Sequence, residues 1–445
     1  MHNRSFTRGI IFLIVAAVLI GASWLITRTR SAGGSIESAE DYFAQTVHRT
    51  GAATDRLIDT LQARVRAAPD DAAAYSQLGL AYLQKAREIG DPTFYQKAEG
   101  VLTRALAWQP DDYVAISAMG ALELARHQFA EALKWGEQAK KLNPDRTYAY
   151  GVIADAQIEL GQYAAAVDTL QTMVNLRPDL SSYSRISYVR ELHGDVAGAL
   201  ELMQRAVEGG GPHAENTAWT RTQLANLYFN TGDLAKAEIE YQHTLQGLPD
   251  YVYALAGLGR VRFAQGRADE AIGLFTRAAQ IMPLPEFVIT LGDIYQARGD
   301  VKAAQQQYEL VGALQQLHES NGVDLDLEIA LFNADHERDL TKTVAQARAA
   351  YERRPSVYAA DVLAWALYKA GDYQAAQQYS EKALRLGTPD ALKYFHAGLI
   401  AQALGDTTQA RHYLTEALSL NPHFSILYAA QAQTALNKLN NVAVK

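Results

Sequence analysis

Prolines stand at Pro110, Pro144 and Pro178 and again at Pro249 and Pro283, so the chain advances in steps of 34 residues between these marks. A fixed period of this size means one small unit copied along the chain. Such a unit cannot bury its own apolar face alone and is stable only when stacked on its neighbours. The period therefore dictates a repeat array before any single motif is weighed.

The units share residues as well as length. Leu224, Ala225, Tyr228, Gly232, Asp233, Ala237, Tyr241 and Pro249 mark one of them. Leu258, Gly259, Gly266, Ala271, Phe275, Ala278 and Pro283 mark the next, and Leu291, Gly292, Tyr295, Gly299, Asp300, Ala304 and Tyr308 follow. Apolar spacings of three and four predict two short helices per unit. Gly161, Gly232, Gly266, Gly299 and Gly405 fall where the first helix must stop, a place that calls for left-handed backbone. Asp233, Asp300, Asp372 and Asp406 come next and are expected to cap the second helix. Ala132, Ala166, Ala237, Ala271, Ala304 and Ala410 sit where only a small side chain lets the two helices close up. Proline then ends the second helix, with Asp70, Asp111, Asp145, Asp179 and Asp250 expected as caps for the next unit.

On these residues the chain resembles the tetratricopeptide repeat family over roughly residues 54–430. The resemblance implies an all-α, right-handed superhelical solenoid of nine to ten helix pairs. It gives a shape and no chemistry, because the shared residues are packing residues. Three phrases, Glu215-Asn216-Thr217-Ala218-Trp219, Leu331 through His336, and Asn421 through Ser425, look like those of membrane-anchored or secreted bacterial members.

Departures from the period divide the array. The interval from Pro69 to Pro110 is 41 residues, and its surplus is assigned to a long connection over 86–94, with 54–68 an unpaired cap. A glycine-rich run at 209–217 reads as a hinge between an N-terminal subdomain, 54–208, and central units, 218–313. Residues 314–356 form an irregular segment, 357–430 the last units, and 431–445 a tail.

The N-terminus is of another kind. Residues 9–27 carry no charge over 19 positions, enough at 1.5 Å per residue to span about 28 Å of a bilayer core. A transmembrane anchor is expected there, behind a cytoplasmic tail at 1–8 and before a spacer at 28–53. A cleaved signal peptide is the competing reading, with a weak cleavage site at 31–34. Arg4 and Arg8 balance Arg28 and Arg30, so the positive-inside rule casts no clear vote. The repeat domain is expected outside the cytoplasm. Without a cysteine, the chain has no lipoprotein anchor.

With those four arginines set aside, 37 basic residues face 49 acidic ones, which disfavours nucleic acid as a partner. Catalytic motifs are missing: there is no phosphate-binding loop, no paired-histidine metal motif, no serine elbow and no cofactor fingerprint. Asp335, His336, Glu337 and Asp339 are the densest group of potential ligands, and adjacent residues on a helix diverge, so no metal site is assigned. Asp324, Asp326 and Glu328 lack the rest of a calcium loop, and His396 reads as a packed residue.

What remains is the surface the stack creates. First helices of repeat pairs line a concave face that receives segments of other proteins. By register the lining is Tyr148, Asp155, Arg185, Trp219, Asn226, Asn230, Tyr253, Arg260 and Phe263. The lysine and asparagine pair with which related domains grip chaperone tails is absent, since Thr222 precedes Asn226 by one helical turn. The sequence thus points to a membrane-anchored scaffold without enzymatic activity that binds protein segments. The rival is a recognition arm for a separate carbohydrate- or envelope-modifying enzyme; a catalyst in its own right would need a site within 315–340.

Overall fold

The chain is described by a computed structural model, over residues 52–210 and 214–442. The expected anchor at 9–27, its flanking tail and nearly all of the spacer lie outside the described residues. So do positions 211–213 of the expected hinge. No helix among the described residues is long and apolar enough to cross a membrane.

Twenty-two α-helices and no strand are found among the described residues. Helix α1 (Ala52–Ala67), over the stretch expected as a cap, has no partner helix before it among the described residues. Ten hairpins follow: α2 (Ala72–Ile89) with α3 (Thr93–Trp108), α4 (Tyr113–Ala125) with α5 (Phe129–Leu142), and α6 (Thr147–Glu159) with α7 (Tyr163–Leu176). Next come α8 (Leu180–Leu192) with α9 (Val196–Glu208), α10 (Ala214–Asn230) with α11 (Leu234–Gly247), and α12 (Val252–Ala264) with α13 (Ala268–Ile281). The series ends with α14 (Pro285–Ala297) and α15 (Val301–Ser320), α16 (Asp326–Asp335) and α17 (Leu340–Arg353), α18 (Val357–Lys369) and α19 (Tyr373–Leu384), and α20 (Ala391–Ala403) and α21 (Thr407–Leu420). The tail expected after residue 430 is instead a closing helix, α22 (Ala429–Val442).

The two helices of a pair have different surroundings, and their sequences say why. In α7 the buried set is Tyr163, Ala166, Leu170 and Met173, one stripe at helical spacing. Every residue of α6 is buried. First helices pack on their own partner, most of them also on the preceding second helix, and several on the next first helix, so they are buried more fully than the second helices. The small residues Ala132, Ala166, Ala237, Ala271 and Ala410 are fully enclosed, where a larger side chain would part the hairpin. One apolar core runs from Tyr150 to Val261, across the glycine-rich segment at 209–217.

Capping follows the sequence in part. Asp233, Asp300, Asp372 and Asp406 each accept a backbone N–H three residues on. Asp179 also caps its helix. For the first two pairs the cap is Asp71 and Asp112, one residue beyond Asp70 and Asp111, because the helix opens after a full proline turn. Asp145 and Asp250 cap nothing; Asp250 pairs with Arg277 instead. The surplus before Pro110 is not a long connection either. It lengthens α2, which runs 18 residues to Ile89. The irregular stretch 314–356 is a genuine hairpin whose first helix has only 10 residues.

The array coils until it meets itself. Tyr163 Oη accepts from Val357 N at 2.8 Å, Thr388 Oγ1 donates to Leu192 O at 2.5 Å, and Asn421 Nδ2 donates to Phe229 O at 2.8 Å. Asp324 N donates to Arg126 O at 3.0 Å. The partners in these side-chain bonds are 192 to 196 residues apart, so between five and six hairpins make one coil. The hairpin turns of the first coil thus dock on the inter-hairpin loops of the second. Gly90, Gly161, Gly194 and Gly232 lie on this seam. A Cβ on Gly161 would stand 2.5 Å from Pro355 O, and one on Gly232 would stand 2.9 Å from Leu420 O.

Candidate functional site

The residues picked by register gather on the first helices, and several spend their polar groups on one another. Arg185 in α8 donates Nε and Nη2 to the two carboxylate oxygens of Asp155 in α6, at 2.9 and 2.8 Å. Burial pushes the Asp155 carboxyl up to about 6 despite that guanidinium. Asn226 Oδ1 accepts from Tyr241 Oη at 2.5 Å and from Arg260 Nη2 at 2.7 Å, and the Arg260 guanidinium lies 4.8 Å from the Phe229 ring centre. Asn230 lies near the carboxylate of Glu191 and opposes the rise of its pKa. Tyr253 packs edge-on against Phe287 and Tyr251, and Phe263 is half-buried in the same apolar cluster. The register set is thus split into an Asp155–Arg185 pair and an Asn226–Arg260 pair, with Tyr148, Trp219, Asn230, Tyr253 and Phe263 outside both.

Three of these residues hold a donor with no acceptor. The Tyr148 hydroxyl, the Trp219 indole N–H and Arg260 Nη1 are buried and make no hydrogen bond among the described residues. A buried donor left in this state costs about 1–3 kcal/mol. Asn226, Asn230, Tyr253 and Phe263 keep part of their surface open beside them.

The seam carries a second set of polar residues that the repeat register does not single out. His127 closes the α4–α5 turn with a left-handed φ of 62°, and its Nδ1–H donates to Asp324 O at 2.6 Å. It stands 34 residues before Gly161, where the period calls for glycine, and that mismatch is the signal the sequence holds. Beside it Arg354 approaches Glu328 at 3.7 Å. Burial pushes the Glu159 carboxyl up to about 7; Arg354 opposes the shift and Glu328 adds to it. Farther along, burial and Asp390 raise Glu191 to about 8 against Lys393 and Asn230. Arg87 in α2 pairs with Glu215 in α10.

The cluster at 335–339 diverges, as helix geometry requires. Asp335 accepts from Trp365 Nε1 at 2.9 Å, His336 approaches Asp293 at 3.4 Å, Glu337 pairs with Lys369, and Asp339 caps α17. His396 stacks on Trp365 with its Nδ1 3.1 Å from Asp361. Among the described residues no group of three or more ligating side chains could hold a metal ion.

Models of the tetratricopeptide repeat match residues 123–186, 222–283, 357–387 and 394–424. Among characterised proteins, the cellulose synthase operon protein C of Komagataeibacter sucrofermentans is 23% identical over 305 residues, covering 67% of this chain and 22% of its own. Superkiller complex protein 3 of Mus musculus is 32% identical over 85 residues, covering 19% and 5%. The chain thus spans about a fifth or less of the length of these relatives. Among solved structures, a human IFIT1 dimer with m7Gppp-AAAA aligns at a TM-score of 0.48 and 14% identity, covering 91% and 95%. YrrB, a TPR protein with an unusual peptide-binding site, aligns at 0.28 and 19%, covering 42% and 94%. Ten stacked hairpins on a 34-residue period, matched by four repeat models along their length, make this chain a member of the tetratricopeptide repeat family.

Proposed function

We propose that the chain is a scaffold that binds segments of partner proteins along its first helices, between α6 and α12. The observation that carries this reading is the set of buried donors on Tyr148, Trp219 and Arg260. The backbone carbonyls of an extended segment are the acceptors such a row fits, and Asn230, Tyr253 and Phe263 offer adjoining polar and aromatic surface. The net acidic charge supports protein over nucleic acid as the partner. Residues 9–27 would hold the scaffold to the cytoplasmic membrane with the repeats outside the cytoplasm.

Trp219→Phe with Tyr148→Phe tests the donors directly. Because both groups already lack partners, the double variant loses only the packing volume of the larger ring at Trp219, a cost of about 1–3 kcal/mol. It should nonetheless lose most of its partner capture in affinity pull-downs. Full capture by the variant sinks the assignment. A reporter enzyme fused after residue 445 tests the orientation, and reporter activity confined to the cytoplasm reverses it.

A second reading has one observation in its favour. Relatives of this chain in Komagataeibacter are named for a cellulose synthase operon, which suits a recognition arm serving a carbohydrate-modifying enzyme. Co-purification of a polysaccharide synthase or hydrolase as the main partner would select it.

A further inference from the structure

Where the α2–α3 and α4–α5 turns meet the second coil they leave a cavity of about 110 Å³. That is many times the roughly 10–15 Å³ one water needs, and it approaches the roughly 150 Å³ at which a protein cavity takes up benzene. Much of the wall is apolar: Ala86, Pro92, Ala125, Leu284, Val323 and Leu325. Tyr95 and Tyr253 add aromatic rings, against which a flat ring packs well. The charged groups on the wall are spent on neighbours. Arg87 pairs with Glu215, Glu328 faces Arg354 at 3.7 Å, and Glu286 has interactions of its own. A charged guest would therefore leave water without a counter-ion to receive it.

What the wall still offers is a pair of acceptors, on His127 and His318. The Nδ1 of each stands against a backbone carbonyl, Asp324 O at 2.6 Å and Leu314 O at 2.8 Å. A carbonyl only accepts, so Nδ1 carries the hydrogen in both rings. Burial holds both imidazoles below their usual range, so at pH 7 each ring is neutral and keeps a lone pair on Nε2. Neither Nε2 has a hydrogen-bond partner among the described residues. We propose that this seam cavity binds a small, neutral phenolic ring, its hydroxyl donating to an imidazole Nε2 and its body lying against Leu284, Val323 and Tyr95. The size admits one ring, the engaged charges select a neutral one, and the lone pairs select one that carries a donor. The site does not rest on partner capture along the first helices. Tyr253 is common to both surfaces, so the test leaves it unaltered.

The test is calorimetric titration of the purified full-length chain at pH 7 with phenol, with fluorobenzene, which has nearly the same shape and no donor, and with benzoate. Saturable binding of phenol is the expected result, with fluorobenzene at least about threefold weaker and benzoate at least about tenfold weaker. N-acetyltyrosinamide separates two sources of the group: if it binds as well, a tyrosine side chain can enter, and if phenol alone binds, the site is restricted to free phenols. Nitrogen-15 labelling of the histidines locates the guest. Phenol should move the Nε2 resonance of His127 or His318, assigned with His127→Asn and His318→Gln, and fluorobenzene should move it less. Phenol binding that leaves both resonances in place overturns the proposal, as does equal affinity for phenol and fluorobenzene or for phenol and benzoate. So does a lack of phenol saturation below about 10 mM. All ligands are compared on the unaltered chain, so the outcome does not depend on a variant folding.

Discussion

Asp155 and Arg185 are each buried, and each is satisfied chiefly by the other. Two ions taken out of water gain little net stability from such a pair, but losing one leaves the other without compensation. Asp155→Ala should therefore cost about 3–5 kcal/mol, while a joint change of both residues to leucine should cost distinctly less. Urea unfolding of the two variants decides it, and a double variant as unstable as the single one refutes the account. The carboxyls of Glu159 and Glu191 give a pH dependence of definite sign. Both are raised above the ordinary 4.5, to about 7 and about 8, so the folded chain holds these protons more tightly than the unfolded one. The stability they contribute is whole below about 4.5 and is lost as pH rises through about 7 and 8. His127 and His318, held neutral by burial, act oppositely near pH 6.5, so the useful quantity is a difference between proteins. From about pH 5 to about pH 9 the melting temperature of a Glu159→Gln, Glu191→Gln variant should fall less than that of the parent. Parallel curves would remove these two groups from the explanation. Register alone places Asp155 and Arg185 on the inner helices, but it does not pair them. Their separation is 30 residues, shorter than the period, and only the packed helices bring them together.

At the level of elements, the hairpin is legible because each of its parts rests on local chemistry. Glycine stops the first helix, aspartate caps the second, and alanine lets them close. What local chemistry leaves out is which copies of a turn carry a second duty. Gly161 and Gly266 hold the same place in their hairpins, at φ of 70° and 78°. A Cβ on Gly161 meets a backbone carbonyl of the second coil, whereas one on Gly266 meets nothing within 4 Å. Gly266→Ala should thus cost only the left-handed backbone penalty of about 1–2 kcal/mol. Gly161→Ala should cost at least about twice that, because the carbonyl it strikes belongs to a docked coil and cannot turn aside. The midpoints of urea unfolding measure the contrast, and equal losses would mean that the coils are not pressed together at this turn. The same gap explains Asp145 and Asp250. Sequence position offers them as caps, but the helix after each begins without a side-chain cap at Arg146 and Tyr251.

For the whole molecule, the period predicts a solenoid without saying how tightly it winds. Winding comes from small rotations summed over several hairpins, which no single unit records. Here the sum brings hairpin turns back against loops 192 to 196 residues later, and three of the contacts made there are side chain to backbone. Such bonds contribute about 0.5–1.5 kcal/mol each, so three of them compare with the few kcal/mol that separate alternative arrangements of a folded chain. Tyr163→Phe, Thr388→Val and Asn421→Ala together remove all three while leaving each hairpin's own core intact. The triple variant should keep its helical circular dichroism yet separate its coils. Spin labels at Gln96 and Ser320, which touch across the seam at 3.0 Å through the Gln96 side chain, would report that separation as a longer and broader distance distribution. A distribution identical to that of the labelled parent would show that the remaining contacts, the bonds of Arg126 and His127 to Asp324 among them, hold the coils without these three. Separation of the coils would make the seam a joint that these three bonds keep closed.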